Sequence, residues 1–143
     1  MRLDSVIANR HIFDGHVNEK PLRLLLKFAG GQVLRLQVAE DGARMIVDDG
    51  PLDLPFDIGE YGQVDIADIT QSLCPTLPGV EVSEVEALAS MGRRVGVRLT
   101  LVGEEMFHFW VDDDELHWGD EAALAGHDWR DGIAPEASEH IEV

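Results

Sequence analysis

The stretch VRLTLVGEEMFHFWVDDDELHW, residues 97–118, echoes LLLKFAGGQVLRLQVAEDGARM, residues 24–45, without a gap. Gly103 falls on Gly30, and Asp114 falls on Asp41. In the earlier copy Leu24, Leu26 and Phe28 alternate with Leu25 and Lys27, and after the glycines Leu34, Leu36 and Val38 alternate with Arg35 and Gln37. A period of two places successive side chains on opposite faces, the pattern of half-buried strands. Pairing Phe28 with Leu34 needs a loop of odd length, read here as Gly30-Gly31-Gln32 with a glycine in the left-handed region. That register sets Leu26 opposite Leu36 and Leu24 opposite Val38. The same rule sets Leu101 opposite Phe107, Leu99 opposite Phe109 and Val97 opposite Val111, across a loop around Gly103. The next turns, Asp41-Gly42 and Asp114-Glu115, read as two-residue hairpins that bring Met45 to Val38 and Trp118 to Val111 on the inner face.

Each copy is therefore a three-stranded antiparallel β-meander. One meander cannot bury its own apolar face, whereas two can cover each other. The expected fold is mainly β (α+β): a single domain over residues 1–125, with the repeat at residues 22–48 and 95–120, arranged as one sheet, a sandwich or a partly open barrel. A further strand is expected before each copy, from Leu3 to Asn9 and from Val82 to Leu88. The second of these also reads as a helix, with Ser83 and Glu86 at capping-box spacing and Gly92 as its stop, and the strand reading is preferred. Between the copies, Ile66, Ile69 and Leu73 share one helical face, which predicts a short helix from near Asp65 to Leu73 ended by Pro75. The tail, residues 126–143, is acidic and poor in apolar residues. It is expected to be loosely ordered, or draped over the domain by Trp129 and Ile133.

The chain has 143 residues, 45% of them hydrophobic, and a formal net charge of -17 from 28 acidic and 11 basic side chains. Such acidity repels phosphate and argues against nucleic acid or an anionic membrane as partner. It leaves solubility, or attraction to a basic protein, as the use of the charge. A single cysteine, Cys74, excludes an internal disulfide framework. No apolar run has the length of a signal core or a membrane span, so a cytoplasmic setting is expected.

Chemistry-bearing motifs are absent from the sequence: no GxSxG elbow, no P-loop, no HExxH. The six histidines are scattered, so neither a metal nor a cofactor is expected, and the protein is not read as an enzyme. Cys74, before a proline at the end of an apolar helical stripe, reads as a buried thiol. Arg23, Lys27 and Arg35 could share an outer face, but one neutralised by nearby acids. The predicted register pushes His108 and Trp110 to the outer face of the second copy, with Trp110 across from Arg98 and His108 across from Thr100. A tryptophan beside an arginine is interface-like, unless the tail or the helix near Asp65 covers it. The turn at Asp112, Asp113, Asp114 and Glu115 lacks the mid-loop glycine and late glutamate of a calcium loop and reads as a solvated tip, with Asp112 ion-paired to His117 opposite.

In its small size, acidity, duplicated meander and aromatic-acid surface, the chain resembles the small immunity proteins that protect bacteria from polymorphic or secreted toxins. The resemblance implies occlusion of a basic toxin or effector by Trp110, His108, Arg98, Asp112, Asp113, Asp114, Glu115 and Tyr61, with a homodimer as a possible assembly. Two other classes stay open. One is an acidic secretion chaperone, a class that dimerises and is richer in helix. The other is a small enzyme or ligand-binding barrel, which would need a deep polar pocket holding perturbed titratable groups.

Overall fold

The computed structural model describes residues 1–73 and 77–143. A long strand β1 (Arg2–Phe13) and a short β2 (His16–Val17) precede β3 (Arg23–Phe28), β4 (Val33–Val38) and β5 (Met45–Asp48). The connection holds β6 (Phe56–Asp57), one 3-10 turn (Gly59–Tyr61), β7 (Gln63–Asp68) and α1 (Thr70–Leu73). The second copy is β8 (Val80–Ser90), β9 (Arg93–Leu101), β10 (Met106–Asp112) and β11 (Glu115–Asp120), followed by α2 (Glu121–Gly126) and β12 (Glu136–His140). Strand order along the main path is β11-β10-β9-β8-β1-β3-β4-β5, with every pairing among the described residues antiparallel.

The two expected leading strands exist as β1 and β8, and they join the halves. Leu26, which pairs with Val6, corresponds in the repeat to Leu99, which pairs with Val85. Val6 is thus the counterpart of Val85. Counting back four positions from each makes Arg2 the counterpart of Glu81, and those two residues are partners across the β1–β8 junction. The junction is a local two-fold axis. Even the irregularities repeat: the bulge between Leu3 and Ser5 on β1 matches the one between Val82 and Glu84 on β8. Outside the meanders, β7 pairs with β1 and β12 with β8, so the tail supplies to the second half what the connection supplies to the first.

The sheet stays open rather than closing into a barrel. It curls until β4 approaches β11 and β5 approaches β9, and the apolar faces of the two halves meet. Leu24, Leu26, Leu36 and Met45 from one half share a buried cluster with Val97, Leu99, Phe109 and Leu116 from the other. Trp118 lies half-buried against that same cluster, on the inner face as its alternation requires.

The faces follow the sequence reading, but the register is displaced by two residues at three of the four hairpins. Leu26 pairs with Leu34, and Phe107 with Leu99. The loops are residues 29–31 and 102–104, closed by Phe28 N–H donating to the Gln32 carbonyl (2.9 Å) and Leu101 N–H donating to that of Glu105 (2.7 Å). Each loop begins one residue earlier than expected because two consecutive positions need positive φ. These are Gly30 (96°) with Gly31 (94°), and Gly103 (96°) with Glu104 (66°). The last hairpin turns at Asp113-Asp114, not Asp114-Glu115, so Val111 faces Leu116 and Trp118 faces Phe109. Only the Asp41-Gly42 hairpin keeps its expected pairing, Val38 with Met45.

The predicted helix from Asp65 is largely a strand. Residues Gln63–Asp68 pair with β1, and a single helical turn starts at Thr70. Asp68 ends the strand by accepting from Thr70 N–H (2.9 Å), while Thr70 Oγ1 accepts from Val6 N–H (2.9 Å) beside the β1 bulge. These polar contacts hold the hydroxyl inside the fold and leave no room for the helix to extend backwards. The expected helix stop at Pro75 and the buried thiol of Cys74 lie outside the described residues.

Candidate functional site

His108 and Trp110 do point to the outer face of the second half, as alternation dictates, but neither reaches solvent. Trp110 is 2% exposed and His108 is fully buried. The cover is α2 together with Trp129, not α1. Asp120 caps α2 by accepting from Ala123 N–H (2.9 Å), and Gly119, where a Cβ would come within 2.4 Å of the Ala123 Cβ, lets the helix lie down on β11. Leu124 then packs with Leu88, Val95 and Trp110 into a second apolar cluster, and Trp129 closes it. The exposed Trp–Arg pairing is overturned. Gly96 stands opposite Trp110, and Arg98 stands opposite His108.

Arg98 Nε donates to His108 Nε2 (3.1 Å), which requires a neutral imidazole with its proton on Nδ1. Burial lowers the pKa of His108, and Arg98 adds to this against the opposing pull of Glu121, 3.6 Å from Nε2. Arg98 also faces Glu121 at 3.8 Å. The three groups form a polar seam beneath α2 that holds the helix in place.

Around Trp110 the tail assembles a ring of imidazoles and indoles. His117 stacks on Trp110 (centroids 5.8 Å apart), His127 meets its edge (5.4 Å), and Trp129 lies 6.2 Å away. Asp112 Oδ2 accepts from His127 Nε2 (2.8 Å) and from Arg130 N–H (3.1 Å). The expected Asp112–His117 pair is therefore replaced, because the two-residue slip puts His117 opposite Trp110 instead. Lys20 Nζ donates to His117 Nδ1 (3.1 Å). Burial lowers the pKa of His117, with Lys20 and His127 pushing the same way. The cluster locks the tail to the sheet; no group of His, Cys, Asp and Glu suited to hold a metal occurs among the described residues.

The acidic tip is where the two repeats touch. Asp113 (φ 49°) and Asp114 (φ 69°) make the turn, and Asp114 N–H donates to the Gly42 carbonyl (3.0 Å). Asp113 carries an exposed ion pair to Arg130 (2.8 Å), and Glu115 is exposed. On the facing turn Asp41 accepts from Ala43 N–H, Arg44 N–H and Arg44 Nε, which pulls its pKa down to about 2.

Tyr61 lies elsewhere, on an arm built from the end of β1 with β2, β6 and β7. Val64 pairs with both His11 and Phe56, Ile66 pairs with Asn9, and Phe13 pairs with His16. Alternation therefore puts Phe13, Phe56 and Ile66 on one face of the arm. All three are exposed, at 53%, 44% and 41%. Ile58 N–H donates to the Gly62 carbonyl (2.9 Å), and Tyr61, 68% exposed, sits in the turn between them with its carbonyl accepting from His11 Nε2 (2.6 Å). Gly62 (φ 98°) admits β1 there, since a Cβ would stand 2.1 Å from the Ile12 carbonyl.

Comparison with known protein families, curated proteins and solved structures found no match.

The structure thus divides the expected site. Trp110, His108, Arg98 and Asp112 join an internal clasp; Asp113, Asp114 and Glu115 form an exposed tip; Tyr61 belongs to the arm. Sequence reasoning missed α2, although Asp120 ahead of EAALAG is an N-cap followed by helix formers and a terminal glycine. It also missed His127 as the partner of Asp112, for which no local signal exists. Phe13 lies beyond the strand expected to end at Asn9, Phe56 lies in the connection between the copies and Ile66 in the expected helix, and only the pairing with β1 aligns them.

Proposed function

We propose that this chain is a protein-binding module of the immunity type, which occludes a basic toxin or effector through its acidic surface. The observation that carries this reading is the fate of its cations. Every arginine lies within ion-pair distance of a carboxylate of the same chain: Arg2, Arg10, Arg23, Arg35, Arg44, Arg93, Arg94, Arg98 and Arg130. More than half of the 28 acidic side chains have no such cationic partner among the described residues. The uncompensated charge is thus free to steer a basic partner, a long-range effect that salt screens. Exposed pairs of this kind add little stability, so their significance lies in the charge map.

The scarcity of helix, 9% against 54% strand, weighs against a secretion chaperone. The open sheet weighs against a ligand-holding barrel. The test is capture from a lysate of the native organism with the full chain as bait, at low and moderate salt. One stoichiometric basic protein, captured more slowly at higher salt, is the expected result. Capture of nothing, or of an acidic protein without salt dependence, overturns the reading.

A further inference from the structure

The arm exposes large apolar side chains that belong to neither buried cluster. Phe13, Phe56, Ile58, Tyr61 and Ile66 are all exposed on the segment formed by the end of β1 with β2, β6 and β7. An apolar patch of large side chains rimmed by charge marks an interaction surface rather than ordinary surface scatter. Its rim here is of one sign. Asp14 follows Phe13 and Glu60 precedes Tyr61, both in turns; both are exposed, and neither has a cationic partner within ion-pair distance among the described residues, whereas Asp57, paired with Gln63, alternates onto the other face. The arm's arginine, Arg10, is held by Asp65 (2.7 Å) and alternates onto the opposite face. A second copy of this chain would bring -17 against -17 and set acid rim against acid rim.

We infer that the Phe13–Phe56–Ile66 face of the arm, with the exposed Tyr61 of the adjoining turn, is the docking surface, and that its occupant is a basic segment of a protein partner whose apolar side chains alternate with lysine or arginine. The inference rests on the partner-binding reading above and names the surface that reading left open. Apolar side chains of the segment cover the aromatic face, and its cations reach Asp14 and Glu60 in the turns at its edge. The backbone is already firm. Asn9 Nδ2 donates to the carbonyls of Asp53 (2.8 Å) and Asp65 (3.2 Å), and its Oδ1 accepts from Asp53 N–H (3.0 Å), which ties the arm's root to β1. Docking therefore meets a preformed surface and loses little ordering entropy.

The test is amide NMR on the full-length protein, titrated with two synthetic peptides: one alternating lysine with leucine, and an oligolysine of at least equal charge. Saturable shifts at Phe13, Phe56, Tyr61 and Ile66 with the alternating peptide are expected, with oligolysine failing to saturate them. Tyr61→Ala and Phe56→Ala should each weaken the alternating peptide roughly tenfold, with amide dispersion outside the arm unchanged. Saturable shifts confined to the tip at Asp113, Asp114 and Glu115 would overturn this assignment while leaving the partner reading standing. Equal binding of oligolysine at the arm overturns the apolar part of the match, and with it the proposal. No saturable binding of either peptide sinks both readings. Concentration-dependent self-association abolished by Tyr61→Ala would make a second copy the occupant and overturn the proposal.

Discussion

Arg2 stands opposite Glu81 where β1 meets β8, and each residue is the other's counterpart in the repeat. On one side of this pair Val82 N–H donates to the Met1 carbonyl (2.6 Å) and the Met1 ammonium donates to the Val82 carbonyl (3.0 Å); on the other, Gly79 N–H donates to the Leu3 carbonyl (2.8 Å). This short junction joins the strands of the halves, while the apolar cluster draws on both. Residues 80–143 expressed alone should therefore show unfolded amide dispersion, since an isolated meander leaves its apolar face wet. A dispersed spectrum from that fragment would refute the shared core.

Trp110→Ala should lower stability by about 3–5 kcal/mol, the usual range for deleting a buried aromatic ring. Tyr61→Ala, at an exposed position, should stay within about 0.5 kcal/mol of wild type. Urea unfolding of both variants separates the internal clasp from the surface. Equal effects would contradict the burial of one and the exposure of the other.

At Gly96 a Cβ would lie 2.3 Å from the Phe109 carbonyl and 3.1 Å from the Trp110 Cα. Backbone cannot retreat as a side chain can, so Gly96→Ala should destabilise by about 1–3 kcal/mol or more. Gly126→Ala, where nothing stands within 4 Å, should be neutral or favourable by up to about 1 kcal/mol. Thermal melting of the two variants checks the contrast.

His108 and His117 both have folded pKa values below the ordinary 6.5, chiefly through burial. At such a site the unfolded chain binds protons more readily than the folded one. Their contribution to stability is complete above 6.5 and is lost as pH falls from there through the folded values. Denaturant unfolding across this window should show stability falling on acidification, and His117→Gln should flatten part of the slope. The groups acting on His117 are Lys20, His127, the Asp112 backbone and Glu115. A pH-independent free energy between neutral and mildly acidic conditions would count against this account.

The Asp113-Asp114 turn holds two non-glycine residues at positive φ, 49° and 69°. Replacing it with Asn-Gly, the favoured pair for such a turn, should raise stability by about 0.5–1 kcal/mol. The cost is only the exposed Asp113–Arg130 pair, because the Asp114 N–H that meets Gly42 is a backbone group. A lower melting temperature for the double variant would argue against the turn geometry.

Alternation along the repeat was enough to assign faces, which is why Phe109, Leu99, Trp118 and Met45 point inward as read. It was not enough to set register. A slip of two residues keeps every side chain on its face, so hydrophobic pattern alone cannot distinguish Leu26 opposite Leu34 from Leu26 opposite Leu36. The left-handed positions at the loop decided between them. The apparent helical stripe at Ile66, Ile69 and Leu73 was outweighed by a free edge of β1, which took residues Gln63–Asp68 as a strand.

By itself, then, the sequence determined what depends on neighbours along the chain: a duplicated meander, the inward and outward sets, and the surplus of acid. Tertiary structure alone decided what depends on distant segments meeting. Trp110 becomes core because residues 121–129 fold back over it, and Asp112 finds His127 rather than His117. Phe13, Phe56 and Ile66 come to share a face because β1 runs long enough to carry a second set of strands. Period and propensity act over a few residues, whereas burial is a property of the surfaces that meet after the chain has closed.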